Sequence, residues 1–240
     1  MAEAKEESGV NGMGKGEWGA ILAGVVLFGS VWGMLECVLG ALKIPGPLSI
    51  VPMGAVLAGF FGLGLMALSR RIYGIPMMQL AIGVVAGFIR LWAPIGTCVI
   101  CSALAIVAEG MVFELIFNRP LFNIAKNSSS PLLDTNSLAL VGALSGYAIY
   151  VTGYLFTQFF TPIVAPPHEF NPSSFVAVLP LIFGRGFFAA ITGAAALPLA
   201  IKAASAPLLQ MDMLTIRKKL YYPVAMTISA LCWGMVIVFV

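Results

Sequence analysis

GTCVICSALAIVAEGMVFELIF, Gly96 to Phe117, is apolar over nearly its whole length and carries ionisable side chains only at Glu109 and Glu114. A helix needs about 20 such residues to cross the hydrocarbon core of a bilayer, so this segment reads as a membrane span with an acid inside it. Six further segments share its character: Ala20–Leu42, Leu48–Ser69, Ile75–Ala93, Ser137–Phe160, Phe175–Ile201 and Pro223–Val240. Turn or charge signals separate them, at Pro45-Gly46-Pro47, Arg70-Arg71, Ala93-Pro94, Asn118-Arg119-Pro120, Thr161-Pro162 and Arg217-Lys218-Lys219. The third segment is the shortest, and the sixth is interrupted by Pro180 and Pro198. With 60% hydrophobic and 10% charged residues in 240, and a mean hydropathy of +1.00, the chain is too apolar for a soluble domain. The expected fold is an all-α, polytopic membrane helix bundle, a six-helix core plus a seventh, C-terminal transmembrane helix. Residues 1–16 read as a polar, disordered cytoplasmic tail. Residues 17–206 read as the six-span core, and 207–240 as a basic connection and the last helix.

Basic residues set the orientation. With the N-terminus in the cytoplasm, the inner connections carry Arg70, Arg71, Arg119, Lys126, Lys202, Arg217, Lys218 and Lys219. The outer connections carry only Lys43, with Arg90 near the end of span three. A multi-pass protein of the cell membrane with its C-terminus outside is expected; if the last stretch does not cross, both ends lie inside. The net charge of +3 comes mostly from the inner residues, which fits contact with anionic headgroups and not nucleic-acid binding.

Several motifs are decoys. Gly9-x4-Gly14-Lys15 resembles the start of a phosphate-binding loop, but Gly16 stands where a Ser or Thr must reach magnesium, and no strand precedes it. Asn127-Ser128-Ser129 fits a glycosylation site yet falls on the inner side. A single histidine, His168, rules out a bis-histidine haem. Cys37, Cys98 and Cys101 stand near one depth and offer a soft-metal set, although free cysteines more often pack as small apolar residues. Packing is the expectation, with no metal and no cofactor. An enzyme is not expected either: there is no Gly-x-Ser-x-Gly and no His-Glu-x-x-His.

Chemistry is concentrated in four ionisable residues within the spans: Glu36, Arg90, Glu109 and Arg185. Charges in hydrocarbon are expensive unless paired or hydrated, and mark functional sites. At a rise of ~1.5 Å per residue, Glu36 lies ~9 Å and Arg90 ~5 Å from the outer ends of their spans. Glu109 and Arg185 lie ~14–20 Å deep, near the midplane. Glu114 is a turn further in, within snorkelling reach of the inner headgroups beside Arg119. Each residue also has a plain structural reading. Arg90 beside Trp92 suits an interfacial anchor, and Glu109 with Arg185 suits a structural ion pair. Their clustering in depth favours a substrate site instead. Trp32, Trp92 and one of Tyr147, Tyr150 and Tyr154 would supply rings for stacking, and Pro166-Pro167-His168-Glu169 an outer lid. Glycines on both sides of Arg185, in Phe183-Gly184-Arg185-Gly186-Phe187, permit close approach of a ligand or a backbone.

Span one presents Ala20, Ala23, Gly24, Gly29, Gly33, Cys37 and Gly40 at intervals of about one turn, a smooth face for another helix. That face, the Pro45-Gly46-Pro47 break, the Gly-rich span two ending in Arg70-Arg71, the short span three, the Ala93-Pro94-Ile95-Gly96 turn and the acidic span four together resemble the substrate-binding S components of energy-coupling factor (ECF) vitamin transporters. The resemblance covers about Ala20 to Phe117, and less clearly Ser137 to Ile201. It implies a six-helix bundle holding a vitamin or related small molecule near the outer face. It also implies a separate transmembrane coupling subunit meeting the Ala20, Gly24, Gly29 and Gly33 face, and two cytoplasmic ATPases. The seventh span and the long inner loop Arg119–Asn136 depart from that pattern. Two other classes fit the same residues: an assembly subunit of a larger membrane complex, and a secondary carrier using Glu109.

Overall fold

The computed structural model describes residues 15–41, 51–93, 99–119, 122–124, 134–164, 172–205 and 218–239. The Pro45-Gly46-Pro47 break, Gly9 to Gly14 of the phosphate-loop decoy, Cys98, His168 with its proposed lid, and the basic residue Arg217 lie outside these residues. Seven helices make up the described chain: α1 (Lys15–Ala41), α2 (Met53–Tyr73), α3 (Met78–Arg90), α4 (Val99–Phe117), α5 (Thr135–Val164), α6 (Pro172–Ala204) and α7 (Lys218–Phe239). All but α3 are long and apolar enough to cross a membrane. The chain is therefore a helical membrane bundle.

The third segment is shorter than its apolar run. Regular helix begins only at Met78, after Gly74 (φ 67°) closes α2 with its N–H on the Arg70 carbonyl (2.9 Å) and Met77 takes a left-handed φ of 65°. Thirteen residues reach only ~20 Å, against a core of about 30 Å. Six helices close a ring in the order α1, α3, α4, α5, α6, α2 and back to α1, and α7 packs on the outside against α1.

Apolar side chains gain little by leaving lipid for protein, so the ring is held by close van der Waals fit. Small residues supply it. Gly142 and Gly146 of α5 lie against Gly193 and Ala189 of α6, where a Cβ would run into the facing carbonyl. A Cβ on Gly110 of α4 would stand 2.8 Å from the Gln79 carbonyl of α3. Between the helices, Trp32, Leu63, Met66, Ile82, Phe113, Phe117, Ile149 and Leu197 form the main core. A second cluster, with Ala55, Ala58, Tyr150, Ile182 and Ala189, joins α2, α5 and α6.

The smooth face of α1 has a different role from the one its spacing predicts. A carbon added at Gly29 would stand 2.6 Å from Val85 Cβ, and one at Gly33 2.8 Å from Ile89 Cβ. Gly24 is covered by the Tyr73 ring and by Met78 (3.1 Å), and Ala20 is buried. The face expected to meet another subunit is filled by α2 and α3 of the same chain, because the short α3 needs close contact to be held. On the other side of α1, α7 is seated by polar clasps. The Trp233 indole donates to the Ser30 hydroxyl (3.2 Å), the Tyr221 hydroxyl donates to the Ala20 carbonyl (3.4 Å), and Tyr73 and Tyr221 share a hydrogen bond.

Within α2, Leu57–Gly62 is wound as a π-helix between two α-helical stretches. Such wide turns hold one residue more than the α-helix and often accompany functional sites. Gly62 at its end lies under the Trp32 indole, which is 3.1 Å from the point a Cβ would occupy.

Candidate functional site

Trp32 is wholly buried, and its indole N–H donates to Glu36 Oε1 at 3.3 Å, one turn along α1. That bond turns Glu36 toward the interior of the ring. Arg90, at the end of α3, acts electrostatically on Glu36 and donates from Nη1 to the Ala93 carbonyl at 3.0 Å. It is 8% exposed, so it is not the interfacial anchor that its neighbour Trp92 implied.

Glu109 on α4 is equally secluded, at 8% exposed. Its carboxylate lies against Gly153 of α5, where a methyl group would come within 3.0 Å of both Cγ and Oε1. Its Oε2 is buried with no hydrogen-bond partner among the described residues. Glu36 is near enough to act on it as a like charge. Arg185 of α6 is in hydrogen-bonding range of the Tyr150 hydroxyl on α5, and Tyr150 is within electrostatic reach of Glu109. No ion pair joins Glu109 to Arg185 among the described residues; Tyr150 stands between them. The four ionisable residues thus lie along one line of electrostatic influence running Arg90, Glu36, Glu109, Tyr150, Arg185, drawn from five helices.

The rings divide differently. Tyr150 is 2% exposed and packs on Tyr154 at 5.2 Å between centroids. Tyr147, one turn away, instead covers Gly186 (2.7 Å to its added carbon) and tilts against Phe187 at 5.6 Å. Trp92 is no part of the site: it is 62% exposed and meets Phe88 edge-on at the lipid-facing side of α3. A tryptophan at a span end faces outward when the helix stops two residues before it, as α3 does at Arg90.

The cysteines correct a second expectation. Cys101 is held in a disulfide, while Cys37 and Cys232 are free and buried. Cys37 points its thiol at the Ile89 carbonyl (4.0 Å) and packs with Ala93 and Val236. Among the described residues no three His, Cys, Asp or Glu side chains converge for a metal.

A second polar cluster, which the spacing of charges does not reveal, lies where α2 and α4 end and α3 begins. Arg70 Nη1 approaches Glu114 Oε2 at 3.6 Å and donates to the Ile75 carbonyl at 2.8 Å, while Nη2 donates to Asn118 Oδ1 at 3.0 Å. Gln79 donates its backbone N–H to Glu114 Oε1 at 3.1 Å. With its amide oriented to match its neighbours, its side-chain nitrogen donates to the same oxygen at 2.8 Å and its oxygen accepts the Arg70 backbone N–H at 3.1 Å. Glu114 therefore does not snorkel; it is a buried anchor. Gln79, a lone amide in an apolar run, is the signal that points to this cluster.

Comparison with protein-family models, with curated proteins and with solved structures finds no match for this chain. Function therefore rests on the chemistry of the site.

Proposed function

We propose that the chain is the membrane-embedded, substrate-binding component of an uptake transporter, holding a small polar molecule among Glu36, Glu109, Tyr150 and Arg185. One observation carries this: a buried carboxylate oxygen of Glu109 that no donor among the described residues satisfies. A structural staple would use both oxygens, as Glu114 does; a binding group leaves one for its ligand. The orientation with this site toward the outside is supported by the Cys101 disulfide at the start of α4, since such bonds persist on the oxidising side of a membrane. The six-helix ring is compatible with an S component of an ECF transporter for a vitamin or related compound, driven by separate coupling and ATPase subunits. In that arrangement the partner would not meet the α1 glycines, which are covered. It would use the open side of α2 and α6, where Phe61, Gly64, Leu68, Ala196 and Leu199 line an apolar groove.

Mass spectrometry of small molecules carried through purification tests the binding role. Recovery of one compound at stoichiometric amount from the wild type, and its loss from Arg185→Gln, is expected. Wild-type protein that yields none, and binds no added metabolite in a thermal-shift screen, removes the proposal. The neighbouring pair of acids, Glu36 and Glu109, favours a second reading, a cation- or proton-linked carrier. That protein would accumulate substrate alone in liposomes under an ion gradient, whereas an S component would not.

A further inference from the structure

Resting on the binding role above, we infer that Glu36 and Glu109 form the seat of a positively charged organic amino group, walled by Trp32 and Tyr150. Two acids on separate helices, α1 and α4, act on each other across the ring interior. Two carboxylates so placed in a medium of low polarity are relieved by a proton held on one of them or by a cation between them. Of the nearby cations, Arg90 acts on Glu36 and donates to the Ala93 carbonyl, and Arg185 is engaged with Tyr150. Glu109 Oε2 meanwhile is buried, on a residue 8% exposed, and has no hydrogen-bond partner among the described residues.

The form of the missing donor follows from the walls. Glu36 already takes the Trp32 indole N–H on one oxygen. Trp32 and Tyr150 are 0% and 2% exposed, and Tyr154 packs on Tyr150. Buried rings beside carboxylates exclude water, which strengthens the attraction of a carboxylate for an ammonium group. A hard divalent ion wants six or more oxygens, and among the described residues no third acid joins these two. An ammonium needs only the acceptors present, and its N–H groups supply the bond that Oε2 lacks.

Gly153 sets the position of the seat. A methyl there would come within 3.0 Å of Glu109 Oε1 and Cγ, so Gly153→Ala displaces the carboxylate by a few tenths of an ångström without removing its charge.

The test uses the purified full-length chain in detergent, titrated with methylammonium or ethylammonium chloride against sodium chloride at fixed ionic strength. Melting temperature and tryptophan fluorescence are followed together. A saturable rise in melting temperature with an ammonium salt, at least tenfold weaker in Glu109→Gln and in Gly153→Ala, is expected. Glu109→Gln is nearly isosteric, and Glu36→Gln serves as a second variant should the first fail to elute as a single species. An equal response to sodium, an ammonium response unchanged in the variants, or no response to either ammonium salt overturns the inference. A copurified molecule whose binding survives Glu109→Gln but not Arg185→Gln also overturns it, and leaves the binding role intact. Failure of the binding role is a separate result, the absence of any bound or bindable molecule in the screen above.

Discussion

Arg70 and Glu114 form an ion pair at 3.6 Å with side chains only 2% and 6% exposed. The pair ties the end of α2 to the end of α4, and Gln79 adds the start of α3 through two donors to the same carboxylate. Three helix ends thus converge on one acid. The arrangement explains how α3, too short to span alone, is fixed in depth.

Breaking that pair leaves an uncompensated buried charge, which typically costs about 3–5 kcal/mol. Arg70→Met is expected to lower unfolding free energy by roughly that amount, read from denaturant unfolding in detergent. The double variant Arg70→Met/Glu114→Leu should recover much of the loss, because neither charge then remains. Strictly additive losses would mean the two side chains do not act as a pair.

Side chains grown on α1 toward α3 should be destructive, and those grown toward open space harmless. Gly29→Val meets Val85 Cβ and the Ile82 backbone, and overpacking of this kind costs about 1–3 kcal/mol or more. Gly184→Ala meets nothing within 4 Å, and Gly64→Ala only Ala196 at 3.7 Å. Thermal melts of the three proteins should separate the first from the other two by several degrees. Equal melts would mean that α1 and α3 are not in close contact.

Thiol labelling checks both the disulfide and the orientation. In intact cells a membrane-impermeant maleimide should label the protein only after treatment with an impermeant reductant, whereas Cys101→Ser, whose disulfide partner is left as a free thiol, should label without it. Cys37 and Cys232, free but buried, should stay unlabelled throughout. Labelling of the wild type without reduction would mean that the disulfide is absent, and labelling only in inverted vesicles would reverse the assignment of sides.

Tyr150→Phe removes the hydroxyl that seats Arg185 and keeps the ring. Affinity for the copurified molecule should fall about tenfold, equivalent to roughly 1.4 kcal/mol, with the melting temperature nearly unchanged. Isothermal titration of stripped protein measures the change. Unaltered affinity would place Arg185 outside the site.

Membrane helices and their approximate limits are readable from the sequence because hydropathy and punctuation are local properties. Glu36, Arg90, Glu109 and Arg185 are identifiable for the same reason: a charge stands out in an apolar run. What each one touches is not readable, since it depends on helix rotation. Trp92 shows this, one turn from Phe88 and on the lipid side with it, although its place at a span end is plain from the sequence. Arg70 reads as part of a connection because Arg71 follows it, yet only its partner Glu114, distant in sequence and equally apolar in surroundings, gives it a reason to be inside. The glycines of α1 are legible as a surface for close approach, but spacing alone does not say whether the neighbour belongs to the same chain.

The wide turn at Leu57–Gly62 changes what α2 can do. Ala55 just before it and Ala58 near its start belong with Tyr150 and Ile182; after it, Leu63, Met66 and Ala67 belong with Trp32 and Phe113. A uniform α-helix would carry one stripe along its length, whereas the surplus residue swivels the stripe midway and lets a single rod serve two neighbourhoods. Excising one residue there would realign the halves and force a choice between them, so this short stretch should be the part of the chain least tolerant of a deletion.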